Sequence, residues 1–152
     1  MEMDRIDGNI LRLLQENADI ANARLAEQVG LSPSACLRRV ARLRRDGVIQ
    51  KTVAVLDPAR IGRPLTAIIS VEFTRHGSEH RKDFVKKVLR NGAIRQCYLV
   101  TGEVSCILTA HMRDMDEYLA ITDQLFDSDP NVTSFRTYIA MQTVKDTASL
   151  AF

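Results

Sequence analysis

The chain has 152 residues, of which 45% are hydrophobic and 26% charged, with a formal net charge of +2. That is enough for one ordinary domain or two small ones, and the composition is that of a folded, water-exposed protein. No apolar run approaches the ~20 residues a membrane-spanning helix needs, and the acidic, amphipathic start Met-Glu-Met-Asp-Arg-Ile-Asp is unlike a signal peptide.

Three scattered cysteines, Cys36, Cys97 and Cys106, argue against a disulfide framework and for a reducing, cytoplasmic setting. Charge is spread unevenly. Residues 1–60 hold ten Lys+Arg against eight Asp+Glu, whereas residues 61–152 hold eleven of each. Between 32 and 51, five arginines and Lys51 face Asp46 alone. One short segment therefore carries the basic character, as a localised contact with a polyanion would.

In chain order, Asp4 is a helix N-cap, followed by an inward stripe of Ile6, Ile10, Leu13 and Leu14. Asn22 is placed to cap a second helix with Leu25, Ala26 and Val29 inward, ended by Gly30. Ser32 caps a third helix, with Pro33 at its first position, where no backbone donor is lost. Cys36, Leu37, Val40 and Leu43 form the apolar face of that helix, and Gly47 stops it. The opposite face then carries Ser34, Ala35, Arg38, Arg39, Arg42 and Arg45.

A tight helix pair whose second member is arginine-rich has the shape that enters a DNA major groove. Small residues at the helix start let the backbone approach, and arginines further along reach phosphates or guanine edges. The plainer reading of such arginines is a solvated face. Within the helix only Asp46 offers an acidic partner, to Arg42, which leaves the others without one at helical spacing. The candidate DNA-binding residues are Ser32, Ser34, Ala35, Arg38, Arg39 and Arg42.

Val48–Leu56 reads as extended, a wing or connecting strand, and Leu56–Pro64 has the proline and glycine content of a linker. None of the eight aromatic residues precedes Phe73, so the composition changes across that linker. Beyond it the pattern runs strand Leu65–Thr74, helix Glu79–Leu89, strand Ile94–Thr101, then strand Ser105–Met112, helix Asp116–Phe126, strand Val132–Val144. Phe84, Val85, Val88 and Leu89 are expected to face inward from the first of these helices. This β-α-β-β-α-β plan is ferredoxin-like. Both helices cover one face of the sheet, and the other face is too apolar to leave wet, which points to a symmetric dimer at least.

The expected class is α+β, with a winged helix-turn-helix at 1–50, a linker strand and hinge at 51–64, and a ferredoxin-like domain for effector binding and oligomerisation at 65–152.

The loop Thr101-Gly102-Glu103-Val104-Ser105 has two readings. It is either a plain hairpin turn or, with one carboxylate and two hydroxyls, a holder for the ammonium and carboxylate of an amino acid. His76 and His80 stand four apart without a cysteine pair to complete a zinc site, so they read as a surface pair and no metal is expected. His111 reads as an interface or surface residue. Cys36 reads as packing. Cys97 and Cys106, on adjacent strands, are candidates for redox chemistry. There is no phosphate-binding glycine loop, nucleophile elbow or carboxylate pair with room for water, so the chain is not expected to be an enzyme or to carry a cofactor. A competing reading is a small-molecule-binding oligomer whose helical module serves assembly alone.

Several stretches together resemble the leucine-responsive/asparagine-operon regulator family: Asp4-Arg5-Ile6-Asp7, Val29-Gly30-Leu31-Ser32-Pro33-Ser34, Cys36-Leu37-Arg38-Arg39-Val40, Gly47-Val48-Ile49, Leu99-Val100-Thr101-Gly102 and Arg136-Thr137-Tyr138. The resemblance implies a sequence-specific transcriptional regulator of amino-acid metabolism that binds double-stranded DNA. It implies dimers that assemble further, often to octamers, and a linker strand around Ile49–Leu56 paired with its counterpart in the partner. It also implies a small effector, usually an amino acid, held between dimers. Carried over by residue, that cleft comprises Thr101, Gly102, Glu103 and Ser105 of the loop, Met115, and Tyr138, Ile139 and Ala140. The family loop commonly reads Gly-Asp-x-Asp, whereas this chain has Gly102-Glu103-Val104-Ser105, with a hydroxyl in place of the second carboxylate.

Overall fold

The structure is a computed structural model and describes residues 3–75 and 77–152. The chain forms two compact units, Met1–Val55 with Lys145–Phe152, and Leu56–Val144. The last eight residues, expected within 65–152, pack in this structure with the first unit.

In the first unit, α1 (Arg5–Glu16), α2 (Asn22–Gln28) and α3 (Pro33–Arg45) pack around Ile10, Leu25, Ala26, Cys36 and Leu43, each at most 2% exposed. Asp4 caps α1 through a reciprocal pair: its carboxylate accepts from Asp7 N at 2.8 Å, and Asp7 Oδ2 accepts from Asp4 N at 3.3 Å. Asn22 is not the cap of α2. That position is Ala21, which has no side-chain cap bond, and the Asn22 amide instead donates to Pro33 O at 2.8 Å, fixing the start of α2 to the start of α3.

The α2–α3 turn follows from Gly30. Its φ of +70° allows Gly30 N to reach Glu27 O and Leu31 N to reach Ala26 O, a Schellman motif. Gly47 (φ +75°) ends α3 in the same way, with Gly47 N on Arg44 O and Val48 N on Leu43 O. Beyond it, residues 51–57 form no strand with the rest of this chain, and Val53, Val55 and Leu56 are exposed. The tail returns to α1, where Gln15 and the Leu150 backbone exchange two hydrogen bonds, of 3.0 and 2.6 Å.

The second unit is a four-stranded antiparallel sheet in the order β2-β3-β1-β4, formed by β1 (Leu65–Phe73), β2 (Ile94–Leu99), β3 (Cys106–Met112) and β4 (Val132–Ile139). Helices α4 (Ser78–Arg90) and α5 (Met115–Thr122), the latter extended by a turn of π-helix at Asp123–Asp127, cover one face. Alternation puts Ala67, Ile69, Val71 and Phe73 of β1 and Cys106, Leu108, Ala110 and Met112 of β3 under those helices. Phe73, Phe84, Phe126 and Phe135 form a connected aromatic row there. The ferredoxin-like plan holds, with two local differences. The last strand stops at Ile139, and Leu89, expected inward, is 80% exposed because α4 buries the Phe84–Val88 line, with Val85 at its flank. On the open face, Ile68 of β1 lies opposite Tyr138 of β4 and Ile107 of β3 opposite Tyr98 of β2. Ile68, Tyr98 and Tyr138 are all exposed.

Candidate nucleic-acid interface and effector site

Ser32 starts α3, its hydroxyl accepting from Ala35 N at 3.3 Å and lying 3.3 Å from the Ser34 hydroxyl. The side chains around α3 are not in the phase its apolar spacing suggested. Cys36 and Leu43 are fully buried and Val40 is partly buried, but Leu37 is 59% exposed. The solvent stripe runs Ser34, Leu37, Arg38, Ala41, Arg44 and Arg45. Ala35 is half-buried beside it.

Arg39 and Arg42 point elsewhere. Arg39 Nη1 donates to Asp4 Oδ2 at 2.7 Å and to Asp7 Oδ1 at 2.9 Å, and Arg42 Nη2 donates to Asp7 Oδ2. Asp7 is 1% exposed, so two guanidinium groups of α3 close over a buried carboxylate of α1. The Asp7 backbone N–H, followed by Arg39, holds the Asp4 carboxyl below its usual range, and Asp4 followed by Asp7 raises Arg39. Asp46 pairs with the adjacent Arg45 and not with Arg42. The cross-helix partners were missed because spacing within one helix says nothing about its neighbour. The Asp4–Asp7 capping pattern was the available signal, since its carboxylates lie where α3 crosses.

In the second unit the expected effector residues fall at two ends of the sheet. The loop Thr101–Ser105 lies at the Val71 end: Val100 N donates to Ser105 O, and Ser105 N donates to Val71 O at 2.9 Å. Thr101 and Glu103 are exposed, and Gly102 has φ +126°, a conformation side chains disfavour. Ser105 turns inward, its hydroxyl accepting from Phe73 N at 3.1 Å. Tyr138, followed by Glu72 and Glu103, raises the Arg136 pKa.

Ala140 N donates to Thr66 O, five residues along β1 from Val71. At ~3.4 Å per residue that is about 17 Å from the loop anchor. Met115 opens α5 just beyond the Met112 end of β3, which pairs with Leu65. Met115, Tyr138 and Ile139 are all exposed. One chain therefore brings Thr101, Gly102, Glu103 and Ser105 together, and separately Met115, Ile139 and Ala140, with Tyr138 between.

His80 is exposed, and His111 Nδ1 lies 3.0 Å from the Thr66 hydroxyl. His76 lies outside the described residues. Among the described residues no cluster of three or more His, Cys, Asp or Glu side chains is placed to hold a metal ion, and no helix is long and apolar enough to cross a membrane.

Residues 3–50 match the winged helix-turn-helix DNA-binding family and residues 66–150 match the Lrp/AsnC ligand binding domain. The chain belongs to the Lrp/AsnC family. It is a DNA-binding transcriptional regulator with a ligand-binding domain, not an enzyme. It is 35% identical to the leucine-responsive regulatory protein of Escherichia coli over 149 residues, 98% of this chain and 91% of that protein. The crystal structure of an AsnC family transcriptional regulator from Agrobacterium tumefaciens superposes with a TM-score of 0.91 at 33% identity, covering 98% of this chain and 97% of that one. A transcriptional regulator from Neisseria meningitidis, solved as its L-Met complex, gives 0.92 at 32% identity, covering 99% and 97%.

Proposed function

We propose that this Lrp/AsnC protein is a sequence-specific regulator of amino-acid metabolism that presents two α3 helices to successive major grooves of a pseudo-palindromic operator, and that an amino acid bound between chains adjusts its assembly. The observation that carries the DNA reading is the solvent stripe of α3. Ser34 and Ala41 are small enough for close approach. Arg38 lies between them with a free reach to guanine O6 and N7, and Arg44 and Arg45 lie where phosphates pass. Leu37, an exposed apolar side chain beside Arg38, is suited to a thymine methyl group. Ser32, Ser34 and Ala35 at the helix start approach the backbone. Arg39 and Arg42, tied to Asp4 and Asp7, set the angle of the helix and touch DNA only with what remains of their edges.

The dimer reading rests on the exposed apolar linker at Val53, Val55 and Leu56, and on the open sheet face. The effector reading rests on the ligand-binding domain and on the neisserial regulator, whose structure holds L-Met. Ser105 in place of an acid leaves Glu103 as the loop's one carboxylate for a ligand ammonium, so one charge-assisted bond replaces two. A cytoplasmic location follows from the same DNA-binding role.

The test contrasts two arginines. Arg38→Ala is expected to keep wild-type thermal stability while losing about ten- to a hundred-fold in operator affinity. Arg39→Ala is expected to lower the melting temperature of the first unit. Gel-shift titration at several salt concentrations separates base reading from phosphate contact, since losing a phosphate contact lowers the salt slope by about one. Unchanged operator binding in Arg38→Ala sinks the assignment.

A further inference from the structure

Cys97 and Cys106 are a pair for which neither DNA nor effector binding has a use. Cys97 sits on the edge strand β2 and Cys106 opens β3, with their side chains on the helix-covered face of the sheet. Their sulfur atoms are 3.4 Å apart and both thiols are free. The register pairs Cys97 with Leu108 and Leu99 with Cys106, so the two cysteines are diagonal neighbours across the hairpin that carries Thr101–Ser105. We propose that this pair is a hydroperoxide-reactive dithiol site whose oxidation closes a disulfide at the base of that loop.

The two sulfurs are unequal. Cys106 is fully buried, whereas Cys97 is half-buried at the sheet edge and is the one a small oxidant reaches. The hydrogen bond between them lowers the Cys97 pKa, and that same bond, with burial, raises Cys106. The thiolate is the nucleophile, so Cys97 reacts first. Its sulfur attacks the peroxide and the O–O bond breaks. One oxygen remains as the Cys97 sulfenic acid, and the other takes up a proton and leaves as water from hydrogen peroxide, or as the alcohol from an organic hydroperoxide. The Cys106 sulfur then gives up its proton and displaces the sulfenyl oxygen, which leaves as water. Two thiols have lost two electrons, and the peroxide has gained them.

Diagonal positions on paired strands stand farther apart than directly opposed ones. Closing the bond brings sulfurs 3.4 Å apart to bonding distance, a movement the edge strand β2 is free to supply. The loop is held at its far side by Ser105, through Val71 O and Phe73 N, so the movement falls on Thr101–Glu103. Formation of the bridge does not depend on the loop's role in effector binding. Cys36 is excluded from the chemistry because it lies buried in the other unit, where burial pushes its thiol up.

The full-length protein is treated with hydrogen peroxide, denatured, and analysed by intact mass and non-reducing peptide mapping. Wild type and Cys36→Ser are expected to lose the mass of two hydrogens, to yield a peptide joining Cys97 to Cys106, and to recover with dithiothreitol. Cys106→Ser is expected to stop at a sulfenic acid captured by dimedone on residue 97. Cys97→Ser is expected to form no bridge. A wild-type protein that remains a free dithiol, or that carries only oxygen adducts on either sulfur, overturns the proposal, as does a bridge involving Cys36.

Discussion

At the scale of single residues, Asp7 carries the most consequence. It closes the α1 capping pair, accepts from both Arg39 and Arg42, and is 1% exposed. A buried carboxylate is tolerable only when it is paired, and removing one member of such a group leaves the others desolvated without compensation. Asp7→Ala is therefore expected to destabilise the first unit by about 3 kcal/mol, read from denaturant unfolding followed by far-UV circular dichroism. Asp4→Ala should cost less, because Asp4 is exposed and Arg39 keeps its bond to Asp7. Equal and small effects for the two would mean that Asp7 does not anchor α3. The same contacts explain why arginine content alone is a poor guide to which arginines of α3 stand clear of α1. Five lie on α3, but two of them are spent on α1.

At the scale of elements, most of the fold was legible because each helix and strand carried its own punctuation. Ser32-Pro33, Gly30, Gly47 and the alternation of β1 and β3 all act where the sequence places them. What was not legible depended on neighbours. Leu37 is apolar yet exposed, since the α3 face toward α1 and α2 is filled by Cys36, Val40 and Leu43. Asn22, a good cap by type, is used between helices. The linker, extended by its sequence pattern, forms no strand within this chain.

Gly30 and Gly47 allow a clean measurement. A Cβ at either would meet no atom within 4 Å, so substitution costs only the left-handed backbone. Gly30→Ala and Gly47→Ala are each expected to cost about 1 kcal/mol. The first also loosens the turn that aims α3 and should weaken operator binding further. A Gly30→Ala protein with wild-type stability would show that the turn relaxes to another conformation.

At the scale of the whole molecule, the effector residues raise a question one chain cannot answer. The loop end and the Met115–Ala140 end of the sheet are separated by about 17 Å, longer than an amino acid. If both contact one ligand, they come from different chains. That reading predicts complementation. A thermal-shift screen against the twenty amino acids first identifies a stabilising ligand, because a ligand that binds only the folded state raises the melting temperature. Glu103→Ala and Met115→Asp are then each expected to abolish the shift when homogeneous. Co-refolded together, the two variants should regain part of it, since some sites in the mixed assembly join an intact loop to an intact α5 end. A site built within one chain gives no recovery, because every chain in the mixture carries a lesion. A flat screen with wild type removes the effector from the proposal and leaves a regulator governed by assembly alone.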